Sequence, residues 1–113
     1  MSSDNQVVEL TGKDFESFTQ KSGIFTFIDF YTQWCKPCKF IAPIIDELAQ
    51  IYVGKMKFGR LDLDKAMSLA RKYNIMGVPN FIIFSPKGER IAQFAGSLPK
   101  KKFIEEIEKV LKD

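Results

Sequence analysis

The chain has 113 residues, 45% of them hydrophobic and 27% charged, and its formal net charge is +3. This length and composition predict one globular domain with a single core, and so mild a charge gives little support for nucleic-acid binding. No apolar run approaches the ~20 residues that a membrane-spanning helix needs, so we expect no membrane insertion. With no His and only two Cys, one chain can form neither a Cys–His pair nor a His-ligated or four-thiolate metal site.

The first six residues are polar and contain no basic segment leading into an apolar one. They do not resemble a secretory signal, and this favours a reducing cytosol. A mature chain from which a signal had been removed would look the same, so that alternative stays open. We expect residues 1–5 to be frayed.

Nine elements follow from the apolar pattern and the turn residues. In the first half they are a strand at 7–10, a helix after the cap residues Thr11 and Asp14, a strand at 25–31 and a helix from 36 to about 52. In the second half they are a strand at 56–63, a helix at 65–73 capped by Asp64, a strand at 81–84, an edge strand at 89–95 and a final helix. The order β-α-β-α-β-α-β-β-α predicts an α/β fold. Its central sheet should be mixed, with helices on both faces and an antiparallel hairpin near the end.

The long helix at 36–52 should bury a stripe of apolar side chains. The residues that recur at three- and four-residue spacing are Phe40, Ile41, Ile44, Ile45, Leu48, Ile51 and Tyr52. Pro43 interrupts this pattern and should kink the helix.

Both cysteines stand at the start of that helix. Cys35 and Cys38 are separated by two residues and follow the apolar strand at 25–31. A helix N-terminus can stabilise a thiolate, so this spacing and position predict a redox-active dithiol. Asp29 is a carboxylate inside the same apolar strand, where loss of solvation should raise its pKa.

Several segments together resemble the thioredoxin family over residues 7–111. They are Trp-Cys-Lys-Pro-Cys at 34–38, Ala-Pro at 42–43, Gly-Val-Pro at 77–79, Gly88 and Gly96. The resemblance implies the thioredoxin fold and protein dithiol–disulfide exchange. The chain departs from the family at Lys36, where the usual residue is Gly, so the redox potential transfers least.

The resemblance implies a role for each group of the site. Cys35 would be the nucleophile at the exposed end of the helix, and Cys38 the more buried resolving thiol. Asp29 would lie behind Cys38 and relay its proton. The alternative for Asp29 is a buried carboxylate held by the cation of Arg60.

A second set of residues would bind the client. By resemblance, the bond before Pro79 is cis and Val78 offers its backbone to an extended peptide. An apolar collar around Cys35 would consist of Trp34, Met76, Gly77, Val78 and Gly96.

Two residues between the cysteines bear on redox tuning. Pro37 restricts the backbone in the first turn of the helix, where a missing N–H is tolerated. Lys36 is expected to be exposed. Its charge either stabilises the Cys35 thiolate and makes the pair more oxidising, or is solvated with little effect.

The resemblance predicts a monomeric, cytoplasmic electron carrier that reduces client protein disulfides and serves cell redox homeostasis. Its redox group would be the Cys35–Cys38 disulfide, with no bound cofactor, and a thioredoxin reductase or an equivalent donor would reduce it. The alternatives are a disulfide oxidase or isomerase of similar fold, a non-catalytic binding module, and a dimer in which two chains share a metal.

Overall fold

A computed structural model describes residues 6–20 and 23–112 of the chain. Residues 1–5, which we expected to be frayed, lie outside this part. Within it, no helix is long and apolar enough to cross a membrane.

The described chain builds one five-stranded mixed sheet. Its strands are β1 (Val7–Leu10), β2 (Phe25–Tyr31), β3 (Met56–Asp62), β4 (Asn80–Phe84) and β5 (Arg90–Ala95). They lie in the order β1-β3-β2-β4-β5, with parallel pairing of β1 and β2 to β3 and antiparallel pairing of β4 to β2 and β5. The predicted mixed sheet with its final hairpin is confirmed, and it places β2 at the centre.

Helices cover both faces of this sheet, as predicted. They are α1 (Phe15–Gln20), α2 (Lys36–Ile51), α3 (Met67–Lys72) and α4 (Lys100–Leu111). Side chains of α2 and α4 share one buried cluster with Phe27 and Phe58. Side chains of α1 and α3 share the other with Ile28 and Phe30. Because successive strand residues point to opposite faces, β2 contributes to both cores.

The helix predicted at 65–73 is shorter and begins later. A 3-10 turn, Leu63–Lys65, precedes α3, and the Asp62 carboxylate accepts from the backbone N–H of Asp64 to cap that turn. The prediction that Asp64 caps the helix is therefore wrong, since α3 starts after Ala66 with no side-chain cap.

The buried stripe of α2 is narrower than predicted. Its core residues are Ile41, Ile45, Leu48 and Ala49, followed by Tyr52 just beyond the helix. Phe40 and Ile51 were predicted in the stripe but are 80% and 52% exposed. Each is one residue from a buried position, and one helical residue is a rotation of about 100°. Pro43 lies on the solvent side of an α2 that continues from Lys36 to Ile51.

Candidate active site

The two cysteines form a disulfide at the start of α2, just past the end of the central strand. Cys35 is the N-cap residue in extended backbone conformation, and its Cα lies 5.3 Å from that of Cys38. The backbone N–H of Cys38 donates to Cys35 Sγ at 3.1 Å. Pro37 lies in the first turn, where helices leave N–H groups unpaired and the missing donor costs little. After reduction, the same N–H and the helix dipole would stabilise a Cys35 thiolate.

Cys35 is far more buried than expected at an exposed helix end. Its exposed fraction is 3%, against 2% for Cys38, so the expected difference in burial between the two sulfurs is absent. The disulfide packs in one cluster with Tyr31, and Val78 packs against that cluster. The covering groups come from β2 and from the loop before β4, and such distant contacts do not appear in the local sequence. Lys36 is exposed, as predicted.

Asp29 is buried on the face of the sheet that α2 covers. It is 2% exposed and lies on β2 between Phe27 and Tyr31, which point the same way. Burial raises its pKa from 3.8 to about 7; Arg60 opposes this rise, while Glu9 and Asp46 add to it. The predicted rise in pKa is confirmed. Oδ1 of Asp29 has no hydrogen-bond partner among the described residues.

Arg60 makes its contacts elsewhere, although it lies directly beside Asp29 in the register of β2 and β3. Its Nε lies 3.6 Å from Oε1 of Glu9, and its guanidinium lies 4.3 Å from the centre of the Tyr31 ring. The Tyr31 hydroxyl donates to Oε2 of Glu9 at 2.6 Å. The alternative in which an Arg60 ion pair holds Asp29 is therefore not the arrangement seen. Our reading of the sequence missed Glu9, whose only signal was a carboxylate in a short strand.

The loop before β4 comes close to the disulfide through Val78. The peptide bond between Val78 and Pro79 is cis, as the resemblance implied, and Pro79 is buried. The backbone N–H of Gly96 donates to the carbonyl of Pro79 at 3.1 Å. Gly96 has φ of 100°, a conformation that a residue with a Cβ rarely adopts. Two distant segments of the predicted collar are thus brought together.

The rest of the collar is an exposed apolar rim. Trp34 is 71% exposed and Met76 is 88% exposed, and Gly77 is exposed between Met76 and Val78. Trp34, Val78 and Met67 line a shallow groove of about 200 Å³. The indole N–H of Trp34 donates to the Asp64 carboxylate at 3.1 Å, which fixes the ring. The sequence reading missed Met67, which lies on a short helix and is 51% exposed.

No cluster of metal-binding side chains lies near the disulfide or elsewhere in residues 6–20 and 23–112. Among these residues no three His, Cys, Asp or Glu side chains are grouped so that they could hold a metal ion. The chemistry visible at this site is that of a dithiol and one buried carboxylate.

Comparison with known proteins gives one consistent family. The Thioredoxin family model matches residues 6–109. "Thioredoxin" of Staphylococcus epidermidis (strain ATCC 35984) is 40% identical over 105 residues, which cover 93% of this chain and 98% of that protein. "Thioredoxin" of Buchnera aphidicola subsp. Schizaphis graminum is 37% identical over 105 residues, covering 90% and 96%. "Thioredoxin M-type, chloroplastic" of Spinacia oleracea is 38% identical over 106 residues; they cover 94% of this chain but span only 58% of that protein.

Proposed function

The chain belongs to the thioredoxin family, and we propose that Cys35 and Cys38 carry out the thiol–disulfide exchange by which it reduces client proteins. It is a protein-disulfide reductase whose redox group is its own disulfide. The observation that carries the proposal is the disulfide at the N-terminus of α2, with Cys35 as the N-cap residue.

Cys35 is the nucleophile in this proposal. In the reduced protein its thiolate attacks one sulfur of a client disulfide, forming a mixed disulfide and releasing the other client sulfur as a thiolate that takes up a proton. The Cys38 thiolate then attacks Sγ of Cys35, and the first client sulfur leaves. Two electrons have passed to the client, and Cys35 and Cys38 are left as a disulfide.

Asp29 takes the proton from Cys38 before that second step. Its pKa of about 7 suits a group that must gain and lose a proton near neutral pH. Its unpartnered oxygen and its place under α2 support this role. The proton passes from the Cys38 thiol to the carboxylate and later to solvent.

Client binding falls to the collar around Cys35. The exposed Trp34, Met76 and Gly77 offer an apolar surface, and the cis peptide presents the Val78 backbone beside the disulfide. An extended client segment would pair with this backbone as an added strand, which holds its disulfide in line with Cys35. Pro79 and Gly96 hold the loop in place. Pro37 restricts the turn between the two sulfurs, and Lys36 tunes the potential.

We place the protein in the cytoplasm as a monomer that a thioredoxin reductase or an equivalent donor keeps reduced. A dithiol reductant needs a compartment in which thiols stay reduced, and this supports the cytoplasm. The exposed collar supports clients that are disulfide-containing proteins. An oxidase or isomerase of similar fold and a binding module without redox chemistry are the outcomes against which the function is tested.

Two measurements test the function. The potential of the Cys35–Cys38 pair against glutathione should lie near about −270 mV, whereas an oxidant or isomerase would give about −120 to −180 mV. Cys38→Ser should trap a stable mixed disulfide with a client, and Cys35→Ser should trap none. Equal trapping by both variants would contradict the assigned order of attack, and no trapping by either would favour a binding module.

A further inference from the structure

Three charged side chains lie side by side across three neighbouring strands. In the register of the sheet, Glu9 on β1 is the partner of Arg60 on β3, and Arg60 is the partner of Asp29 on β2. Direct partners in neighbouring strands point to the same face. Arg60 therefore lies between two carboxylates and can pair with either one.

Arg60 pairs with Glu9, the more exposed of the two. The pair has an N–O distance of 3.6 Å, and the side chains of Arg60 and Glu9 are 27% and 56% exposed. The guanidinium also stacks on the Tyr31 ring, and the Tyr31 hydroxyl donates to Glu9 at 2.6 Å. Each of the three side chains thus contacts the other two, while Asp29 keeps an oxygen without a hydrogen-bond partner in the described chain.

We propose that Glu9 is a positioning residue that holds Arg60 against Tyr31, so that the guanidinium does not pair with Asp29 and the carboxyl stays free to exchange its proton. This inference rests on the proposed role of Asp29 as proton relay. Its own content is the effect of Glu9 on Arg60, which can be measured without any client.

The charges around Asp29 come from three elements packed together. They are Arg60 on β3, Glu9 on β1 and Asp46 on α2, with the Tyr31 phenol on β2 itself, whose pKa is raised to about 12 by burial and by Glu9. Of these, Arg60 is the one cation, and a guanidinium in contact with a buried carboxylate would keep it ionised. An ionised Asp29 paired with Arg60 would be a weak base for Cys38.

The test is a pair of substitutions at Glu9 and Arg60. Glu9→Gln removes the charge but keeps an oxygen that can accept from the Tyr31 hydroxyl. The pKa of Asp29 is measured in the oxidised protein, where neither cysteine titrates, by following its carboxyl carbon with NMR. The measurement is repeated in Arg60→Gln and in the double variant, so that the two effects form a cycle.

We expect Glu9→Gln to lower the pKa of Asp29 by about one unit or more, since an opposite charge brought within contact lowers a carboxyl pKa by about 1–3 units. In the Arg60→Gln background the same change should lower it by less than half as much. Equal shifts in both backgrounds would overturn the proposal, because Glu9 would then act only through its own charge. An unchanged pKa in Glu9→Gln would overturn it as well.

Glu47→Gln is the matched control. Glu47 forms an ion pair with Lys100 at the same 3.6 Å, and its side chain is 59% exposed. Its loss should leave the pKa of Asp29 unchanged. A shift as large as that of Glu9→Gln would mean that any lost surface carboxylate has the effect, and the proposal would fail.

Failure of the relay role is seen separately. If Asp29→Asn reduces client disulfides at the wild-type rate, Asp29 carries no proton in the reaction and the proposed function of that residue is wrong. The cycle of carboxyl pKa values still reports whether Glu9 restrains Arg60.

Discussion

The two faces of the central sheet are equally buried, but only one of them holds ionisable groups. On β2, Ile28 and Phe30 point into an apolar core under α1 and α3. Their neighbours Phe27, Asp29 and Tyr31 point toward α2 and α4, and this series includes a buried carboxylate. The redox site lies on this second face because α2 begins there, directly after the end of β2. One face thus serves stability alone, and the other gives up stability for a reactive site.

The stability given up can be estimated from Asp29. Its pKa is 3.8 in an ordinary setting and about 7 in the fold, so the folded chain binds more protons than the unfolded chain between those values. The free energy of unfolding therefore falls as pH rises from about 4 to about 7 and stays low above that. At 1.36 kcal/mol per unit, the loss above neutral pH is about 4 kcal/mol.

The largest effect should come from deleting a core aromatic on either face. Phe81 and Phe84 are both fully buried on β4 and point to opposite faces. Each change to Ala should cost about 3–5 kcal/mol of unfolding free energy, measured with urea. Only Phe81 lies beside Asp29 in the sheet. Phe81→Ala should therefore admit water and lower the pKa of Asp29, whereas Phe84→Ala should leave it unchanged.

This pair of variants can break the comparison of the two faces. If Phe84→Ala shifted the titration of Asp29 as much as Phe81→Ala, the faces would be coupled through the sheet and the division of roles would be wrong. The milder Phe81→Leu and Phe84→Leu serve if either alanine variant does not fold. The same difference in titration should then appear at smaller size.

Asp29→Asn should give the next largest effect, and it should stabilise the protein. The amide carries no charge at any pH, so the variant should gain up to about 4 kcal/mol at pH 8 and almost nothing at pH 4. Its reduction of client disulfides should be slower at neutral pH by up to about 100-fold, because Cys38 loses its base. Urea unfolding of the oxidised protein at several pH values and a client reduction assay measure both effects.

The exposed Asp46→Asn is the control for Asp29→Asn. Asp46 also raises the pKa of Asp29, but it is the weakest of the contributions that act on it. The variant should keep the fall in stability between pH 4 and 7. A wild-type reduction rate in Asp29→Asn at neutral pH would contradict the relay role.

Much of this division of roles was visible in the sequence. The uninterrupted apolar run of β2 predicted a central strand covered on both faces, and Asp29 stood out in it as the one carboxylate. The spacing of Cys35 and Cys38 at a strand–helix junction predicted the dithiol. These signals are local, because they depend on neighbours along one strand or one helical turn.

What the sequence did not reveal depends on contacts between distant segments. Cys35 is buried because Val78 packs over the cluster that holds it, and no local pattern records that approach. Glu9 matters through the register of three strands, which a four-residue strand such as β1 does not specify. The cis bond at Pro79 came from the family resemblance, since few X-Pro bonds are cis.

Lys36 should give the smallest effect, because its charge is exposed on the solvent side of the site. A charge near a helix N-terminus changes a free energy by about 0.3–1 kcal/mol when exposed. If Lys36 stabilises the Cys35 thiolate, Lys36→Gly should raise the Cys35 pKa and make the potential more negative by about 10–20 mV. Lys36→Gln separates charge from backbone freedom, and it should show the same shift. If the potential and the Cys35 pKa are unchanged in both variants, Lys36 is a solvated lysine. The tuning of the pair then belongs to Pro37 and to the buried setting of the sulfurs, which would place all the redox control on the α2 face of the sheet.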